Sequence, residues 1–205
     1  MKSLNLCLDD VFVKIMEDDT FSIRFHNCRP EDFEITPGEN TTIKQIYSSH
    51  NLFIKKKYFS LSFKSKDETT SIIELRLPSL EHLNSTCDSG GISLRNLTIN
   101  TIDIQVDSGL VYLNDIHSEK ASITCDSGTV NANKLIVSDC CDIDVDSGTL
   151  FIKNSLTNLC GYDIKCETGI SKLFGSVKIR GDKRLFKAGV PMYRLRNDTG
   201  LCTIE

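Results

Sequence analysis

The chain has 205 residues, of which 40% are apolar and 25% charged, with a net charge of −4. That balance supports one or two modest folded units and excludes a disordered chain. Basic residues are scattered rather than clustered, which argues against nucleic acid as a partner, and no apolar run approaches the ~18 residues a transmembrane helix needs.

Acids arrive by residue 9, so no N-terminal stretch is long enough for a signal peptide, and a cytoplasmic protein is expected. Residues 1–79 are strand-rich. Apolar and polar side chains alternate over residues 11–15, 21–25, 58–63 and 72–77. Turn signals separate these runs at Glu17-Asp18-Asp19, Pro37-Gly38-Glu39-Asn40 and Ser65-Lys66-Asp67-Glu68. Lys55-Lys56-Lys57 is the one basic run, and a solvated strand end or turn accounts for it more simply than a phosphate or membrane contact. Leu77-Pro78-Ser79 marks a junction without a flexible linker. Residues 1–79 are therefore expected to cap a second section, residues 80–205, and to share its core while covering its first open edge.

In that second section one tripeptide recurs. Asp88-Ser89-Gly90, Asp107-Ser108-Gly109, Asp126-Ser127-Gly128 and Asp146-Ser147-Gly148 start 19, 19 and 20 residues apart. Glu167-Thr168-Gly169 follows after 21 residues and Asp198-Thr199-Gly200 after 31 more. Aligned on the glycine, the apolar residues fall into columns: Ile92, Val111, Val130 and Leu150; Leu94, Leu113, Ala132, Ile152 and Leu173; Ile104, Ile123, Ile143, Ile164 and Leu195; Cys87, Val106, Cys125, Val145 and Cys166; and Leu97, Ile116, Leu135 and Leu156. Their alternation is that of strands, and a period of about 20 residues is that of a stacked repeat. The expected fold is all-β: a single-stranded β-solenoid, or β-helix, of about five coils of 19–21 residues each. Asp88, Gly90, Asp107, Gly109, Asp126, Gly128, Asp146, Gly148, Glu167, Gly169, Asp198 and Gly200 form its turn column, with glycine suited to a corner of positive φ and Asp or Ser bonding the local backbone. The 31-residue interval should carry its surplus as an outward excursion over residues 180–191.

Asp-Ser-Gly and Asp-Thr-Gly are also the motif of aspartic proteases, where two carboxylates share a proton. Six copies spaced by the coil length do not fit that chemistry. A ladder of carboxylates could hold calcium, but the glycine-rich nonapeptide of calcium-loaded β-rolls is absent, and no Cys/His spacing suits zinc. The four histidines are dispersed. No cofactor or metal is expected. Most of the nine cysteines read as small apolar residues of a reducing compartment.

The segment Leu75-Arg76-Leu77-Pro78, the copies beginning with Asp88-Ser89-Gly90-Gly91-Ile92-Ser93-Leu94, and the ending Asp198-Thr199-Gly200-Leu201-Cys202-Thr203-Ile204 together resemble the bacterial “putative adhesin” domain of β-strand repeats, a domain of unknown function. The likeness covers residues 70–205 and, more loosely, the N-terminal part. It implies a β-solenoid and supplies no catalytic residue. These observations support a non-enzymatic binding or scaffold module whose partner is an unknown protein or envelope component. Any self-association is expected to be an end-to-end homodimer through the open last coil, where the chain ends. The competing readings are a carbohydrate-active enzyme using carboxylates on the coil face, and a surface adhesin domain of an exported chain.

Overall fold

Alternation turns one side chain in two inward, and here the inward side chains of successive segments lie over one another. The computed structural model, which describes residues 1–47, 70–179 and 182–205, is all-β: twelve strands form one curled sheet, with a 3-10 turn at Pro30–Asp32. The expected strand at 58–63, the Lys55–Lys57 run, the turn at 65–68 and Arg180 lie outside the described residues.

The strands are β1 (Ser3–Leu8), β2 (Phe12–Glu17), β3 (Ser22–His26), β4 (Phe33–Thr36), β5 (Asn40–Gln45), β6 (Ile72–Leu77), β7 (Leu80–Cys87), β8 (Gly91–Lys153), β9 (Gly161–Leu173), β10 (Ser176–Ile179), β11 (Lys183–Lys187) and β12 (Met192–Ile204). β8 is 63 residues long and lies against itself at the repeat interval, Asn133 Nδ2 donating to Asn114 Oδ1, and the residues flanking it continue the pattern: Leu110 N–H donates to the Gly90 carbonyl and Asn154 Nδ2 to Asn133 Oδ1. β7 pairs with β8 in parallel, Cys87 opposite Val106.

The N-terminal strands belong to the same sheet. β1 runs parallel between β5 and β7, and β2 parallel between β6 and β8. Leu8 stands opposite Cys87 and Phe12 opposite Gly91, so Asp9-Asp10-Val11 occupies the corner level with Asp88-Ser89-Gly90. Ser89 N–H donates to the Asp9 carbonyl at 2.7 Å. Asp9-Asp10-Val11 is thus a member of the repeat that lacks its Ser and Gly. On its far side the backbone N–H groups of Asp9 and Asp10 both donate to Gln45 Oε1, and Gln45 Nε2 donates to Asp10 Oδ1. One amide side chain thereby satisfies the corner's outermost donors.

The chain's final strand is not the sheet's final strand. β12 lies parallel between β8 and β9, Leu195 opposite both Ile143 and Ile164. This corrects the expectation of an open last coil at the C-terminus. Lys183–Lys187, within the expected outward excursion, form a strand of the sheet instead. β10 and β11 both pair antiparallel with β9, while β3 and β4 pair antiparallel with β6 and β5 at the opposite end. A body of parallel strands is therefore closed at each end by short antiparallel strands that carry charges such as Arg24, Glu34, Lys183 and Arg184, the usual protection of a sheet edge.

The columns predicted to face inward do so. Ile104, Ile123, Ile143, Ile164 and Leu195 are at most 1% exposed, and one continuous apolar cluster joins them to Leu4, Leu6, Val13 and Ile15 of the N-terminal strands. Burying each such side chain contributes about 1.5–3 kcal/mol. Leu156 is only partly buried, because the chain leaves the sheet over residues 154–160. That departure leaves the backbone of Leu135 and Val137 without a strand beyond it. Ser155 Oγ accepts the Leu135 N–H, while the Tyr193 hydroxyl donates to the Leu135 carbonyl at 3.0 Å and accepts the Val137 N–H at 3.2 Å.

A second column has positive φ at residues other than glycine. Asn96, Asp115, Lys134, Asn154 and Phe174 have φ of 52°, 55°, 58°, 54° and 49°. Asn and Asp tolerate this left-handed conformation because their short side chains bond locally, whereas Lys and Phe do so at a cost. Lys134 Nζ reaches back to Asp115 Oδ2 at 2.8 Å, an exposed pair of small worth.

Replacing Lys134 by Asn should raise stability by roughly 0.5–1 kcal/mol through relief of backbone strain, measured by urea denaturation. Tyr193→Phe should lower it by about 2–3 kcal/mol, since two buried backbone groups lose their partner. Burial, chiefly, pushes the Tyr193 hydroxyl from 10 up to about 12. The folded value exceeds the unfolded one, so this contribution is complete below pH 10 and is lost as the pH rises towards 12. Alkaline unfolding curves of the two proteins should converge over that interval.

Candidate functional site

The Asp-Ser-Gly column runs along one corner of the curled sheet. Asp88, Asp107, Asp126, Asp146, Asp198 and Glu167 follow one another in the spatial order set by the strand pairings, with Asp198 ahead of Glu167 because β12 precedes β9. The glycines make direct backbone contact. A side-chain carbon added at Gly109 would lie 2.1 Å from the Gly90 carbonyl oxygen; at Gly128, 2.0 Å from that of Gly109; at Gly148, 2.0 Å from that of Gly128. At Gly200 it would meet the Gly148 oxygen and at Gly169 the Gly200 oxygen, each at 2.0 Å. Gly90 meets the Val11 oxygen at 2.1 Å. Close approach is the requirement all six share. Gly148, Gly169 and Gly200 have the expected positive φ, at 157°, 112° and 129°, whereas Gly90, Gly109 and Gly128 do not and are glycine for close approach alone.

Beside the column, the outward side chains divide into two regions. A shallow groove of about 430 Å³ is lined by Thr86, Asp88, Gln105, Asp107, Thr124 and Asp126, with Cys87 and Val106. Among the described residues, Asp88, Asp103, Asp107, Asp126 and Asp146 have no hydrogen-bonding or ionic side-chain partner. Asp88, Asp107, Asp126 and Asp146 stand on successive strands whose backbones are about 4.8 Å apart, so their like charges repel.

Further along, charges alternate. A second groove, of about 360 Å³, brings together Asp144, Asp163, Lys165, Glu167, Arg184, Arg194, Arg196 and Asp198. Strand β12 supplies Arg194 and Arg196, which stand between Asp142 and Asp144 on one side and Asp163 and Lys165 on the other. Arg194 binds Asp142 at 3.0 Å, Arg184 grips both oxygens of Asp163 at 2.9 and 3.0 Å, Arg196 lies 3.9 Å from Asp144, and Lys165 pairs with Glu167. The hydrogen bonds from Arg184 hold the Asp163 carboxyl below its ordinary value. Asp198 moves the other way, raised by burial and then by Glu167, Asp144 and Asp146. Lys183 and Arg184, expected on a loop, sit on β11, with Lys183 reaching Ser176 Oγ.

Among the described residues no cluster of His, Cys, Asp and Glu has the geometry of a metal site, and no helix is long and apolar enough to cross a membrane. The nine cysteines are unlinked; Cys87, Cys125, Cys141, Cys160, Cys166 and Cys202 are buried. What sequence reading missed is the arginine-bearing strand between two acidic ones. Its signal was the basic residues Arg194 and Arg196 at positions where the preceding copy has Asp163 and Lys165.

Comparison with solved structures places the fold beside that of a “putative cell adhesion protein” from Clostridium sporogenes, with 12% identity over 99% of this chain and 91% of the other and a TM-score of 0.50. A “putative adhesin” from Bacteroides fragilis aligns at 9% identity over 99% and 90% of the two chains, with a TM-score of 0.37. Comparison with curated proteins gives no match. The family model described as Toastrack DUF4097 matches residues 2–169, and the chain belongs to that family.

Proposed function

We propose that the protein is a non-enzymatic binding or scaffold module. Residues 80–205 act as a solenoid-like stack of about five coils, locked by the turn column, and residues 1–79 act as its cap. The observation that carries this reading is the unneutralised carboxylate row of Asp88, Asp107 and Asp126 on a shallow surface, held by direct glycine contacts. Such a row suits a partner with a basic surface, whose cations would relieve the repulsion and steer the encounter. The partner would be a protein or an envelope component. The description of the Clostridium sporogenes relative lends an adhesive role some support. Nine unlinked thiols favour a reducing compartment, and hence the cytoplasm.

An enzyme of the carbohydrate-active class would need free carboxylates poised as acid and base. In the groove that contains Arg184, Asp163 and Glu167 are held by cations, which speaks for the module; Asp198, with its raised pKa, is the group an enzyme would use as acid. A turnover screen on acidic polysaccharides separates the two readings, and hydrolysis or elimination abolished by Asp198→Asn would replace the module by the enzyme. An end-to-end homodimer is a finer possibility of the same module. It would join the antiparallel end strands, basic β11 against β4 with its Glu34, and light scattering at rising concentration tests it.

Three outcomes are expected. Gly128→Ala should cost about 3 kcal/mol, because the new methyl group displaces the Gly109 backbone, whereas Gly38→Ala should be neutral, its nearest atoms being 3.9 Å away. Thermal denaturation of both checks this. Asp107→Asn should raise the melting temperature at low salt, with the gain fading as salt shortens the screening length to about 10 Å at 0.1 M. The same substitution, made jointly at Asp88, Asp107 and Asp126, should abolish binding of an oligolysine probe measured by calorimetry. Absence of binding by the parent protein would remove the basic partner from the reading.

A further inference from the structure

The sheet has an outward facet on each side of the glycine corner, and the two differ in chemistry. Before the corner the outward positions carry Asp103, Asp142, Asp144, Asp163, Arg194 and Arg196. After it the inward residues are Val111, Leu113, Val130, Ala132, Leu150 and Ile152, all buried, so the residues alternating with them face outward. The glycine contacts and the pairing of β12 set these outward residues in two rows. One row is Leu110, Thr129, Thr149 and Leu201; beside it runs Tyr112, Asn131, Phe151 and Thr203. Ile170 of β9 continues the first row. Lys14 of β2 bounds the strip at one end, and Lys172 of β9, paired with Glu205, bounds it at the other. Between those ends the two rows hold no charged residue.

Leu110 and Tyr112 are 38%, Leu201 40% and Ile170 46% exposed, and Phe151 is half-buried. Single exposed apolar residues are ordinary; apolar residues in register on consecutive strands, with no charge among them, mark a contact surface. Among the described residues the side chains of Tyr112, Thr129, Asn131 and Thr149 make no hydrogen bond, so their polar groups are open to a ligand. From Leu110 to Ile170 the strip crosses three passes of β8, then β12 and β9, about 19 Å in all, and is one pair of side chains wide. That is a fraction of the roughly 800 Å² per partner that a stable protein complex takes. A narrow, uncharged strip suits a linear, uncharged ligand.

We propose that this strip binds a neutral β-1,4-linked polysaccharide laid across the strands. Tyr112 and Phe151 stand two strands apart in one row, roughly 10 Å, with Asn131 between them. A β-1,4-linked pyranose chain is straight and advances by about one strand spacing per sugar, so its rings keep step with the strands. Successive rings are turned over, so every second ring presents the same C–H face. Two such faces lie on Tyr112 and Phe151, as apolar surface does on aromatic rings. The ring between them lies over Asn131, whose amide both donates and accepts, while the hydroxyls of Thr129 and Thr149 meet the ring edges and Leu110 and Leu201 flank the threonines. An extended peptide does not fit, because its same-side side chains recur every two residues, about 6.6 Å, out of step with the strands. The two rows hold no carboxylate to serve as acid or base, so the sugar chain is bound and not cleaved. This surface is separate from the row of Asp88, Asp107 and Asp126 and independent of the basic partner proposed for that row.

The test is calorimetric titration of the protein with cellohexaose, and with maltohexaose, whose α-linkages coil the chain, for comparison. Cellohexaose should bind, and maltohexaose should bind about tenfold more weakly. Tyr112→Ala and Phe151→Ala should each weaken cellohexaose binding about tenfold, while Tyr112→Phe, which keeps the ring, should retain it. Thr149→Lys lays a charged side chain over the strip without touching the core; it should reduce binding likewise, and it covers the case in which an alanine variant fails to fold. Asp107→Asn should leave glycan binding unchanged, and Tyr112→Ala should leave oligolysine binding unchanged, so the two surfaces stand or fail separately. No binding by the parent protein at millimolar cellohexaose, equal affinity for the two hexasaccharides, or binding indifferent to Tyr112→Ala and Thr149→Lys would each overturn the proposal. So would self-association abolished by Thr149→Lys, which would give the strip to a second copy of the chain.

Discussion

The contact on which the structure depends is that of one glycine with the carbonyl of the next. From Gly90 to Gly109, Gly128, Gly148, Gly200 and Gly169, a carbonyl oxygen lies 2.0–2.1 Å from where a side-chain carbon would sit. No other residue permits that approach, so the corner sets the register of every layer at once. A one-residue slip would turn each inward column to solvent and push a Ser or Thr into the backbone contact. The apolar columns supply most of the stabilisation; the glycines specify the alignment in which it is realised.

Parallel stacking also dictates how the ends are made. Each level presents its outer N–H and C=O groups to the next, and the outermost levels have none to meet. The chain answers by reversing direction: β3 and β4 close one end and β10 and β11 the other, all antiparallel to the body. Where no strand can follow, single side chains do the work, Gln45 at the first corner and Tyr193 with Ser155 beneath Leu135 and Val137.

Much of this was legible in the chain. The tripeptide and the alternation on either side of it identified the inward residues from Cys87 to Leu195, because stacked layers repeat the same chemistry at the same place. Asp9-Asp10-Val11 was hidden for the converse reason. It begins the glycine stack, so its level needs no glycine of its own, and without glycine it does not resemble the repeat. The column of left-handed residues was hidden because Asn96, Asp115, Lys134, Asn154 and Phe174 share a backbone conformation and not a side-chain type.

The order of the last two layers could not be read from apolar residues, because Leu195 and Ile164 fit the column equally well in either place. Charge distinguishes them. With β9 directly against β8, Asp142 would lie beside Asp163, two carboxylates on adjacent strands. With β12 between them, Arg194 meets Asp142 on one side and Asp163 on the other. The insertion exchanges a repulsion for two attractions, each modest at an exposed surface, while leaving the core unchanged. Electrostatics then selects between arrangements that hydrophobic burial leaves equivalent. The same choice sets Asn197 and Cys202 of β12 opposite Cys166 and Ser171 of β9, so the buried polar chemistry of that corner follows from where the final strand is inserted.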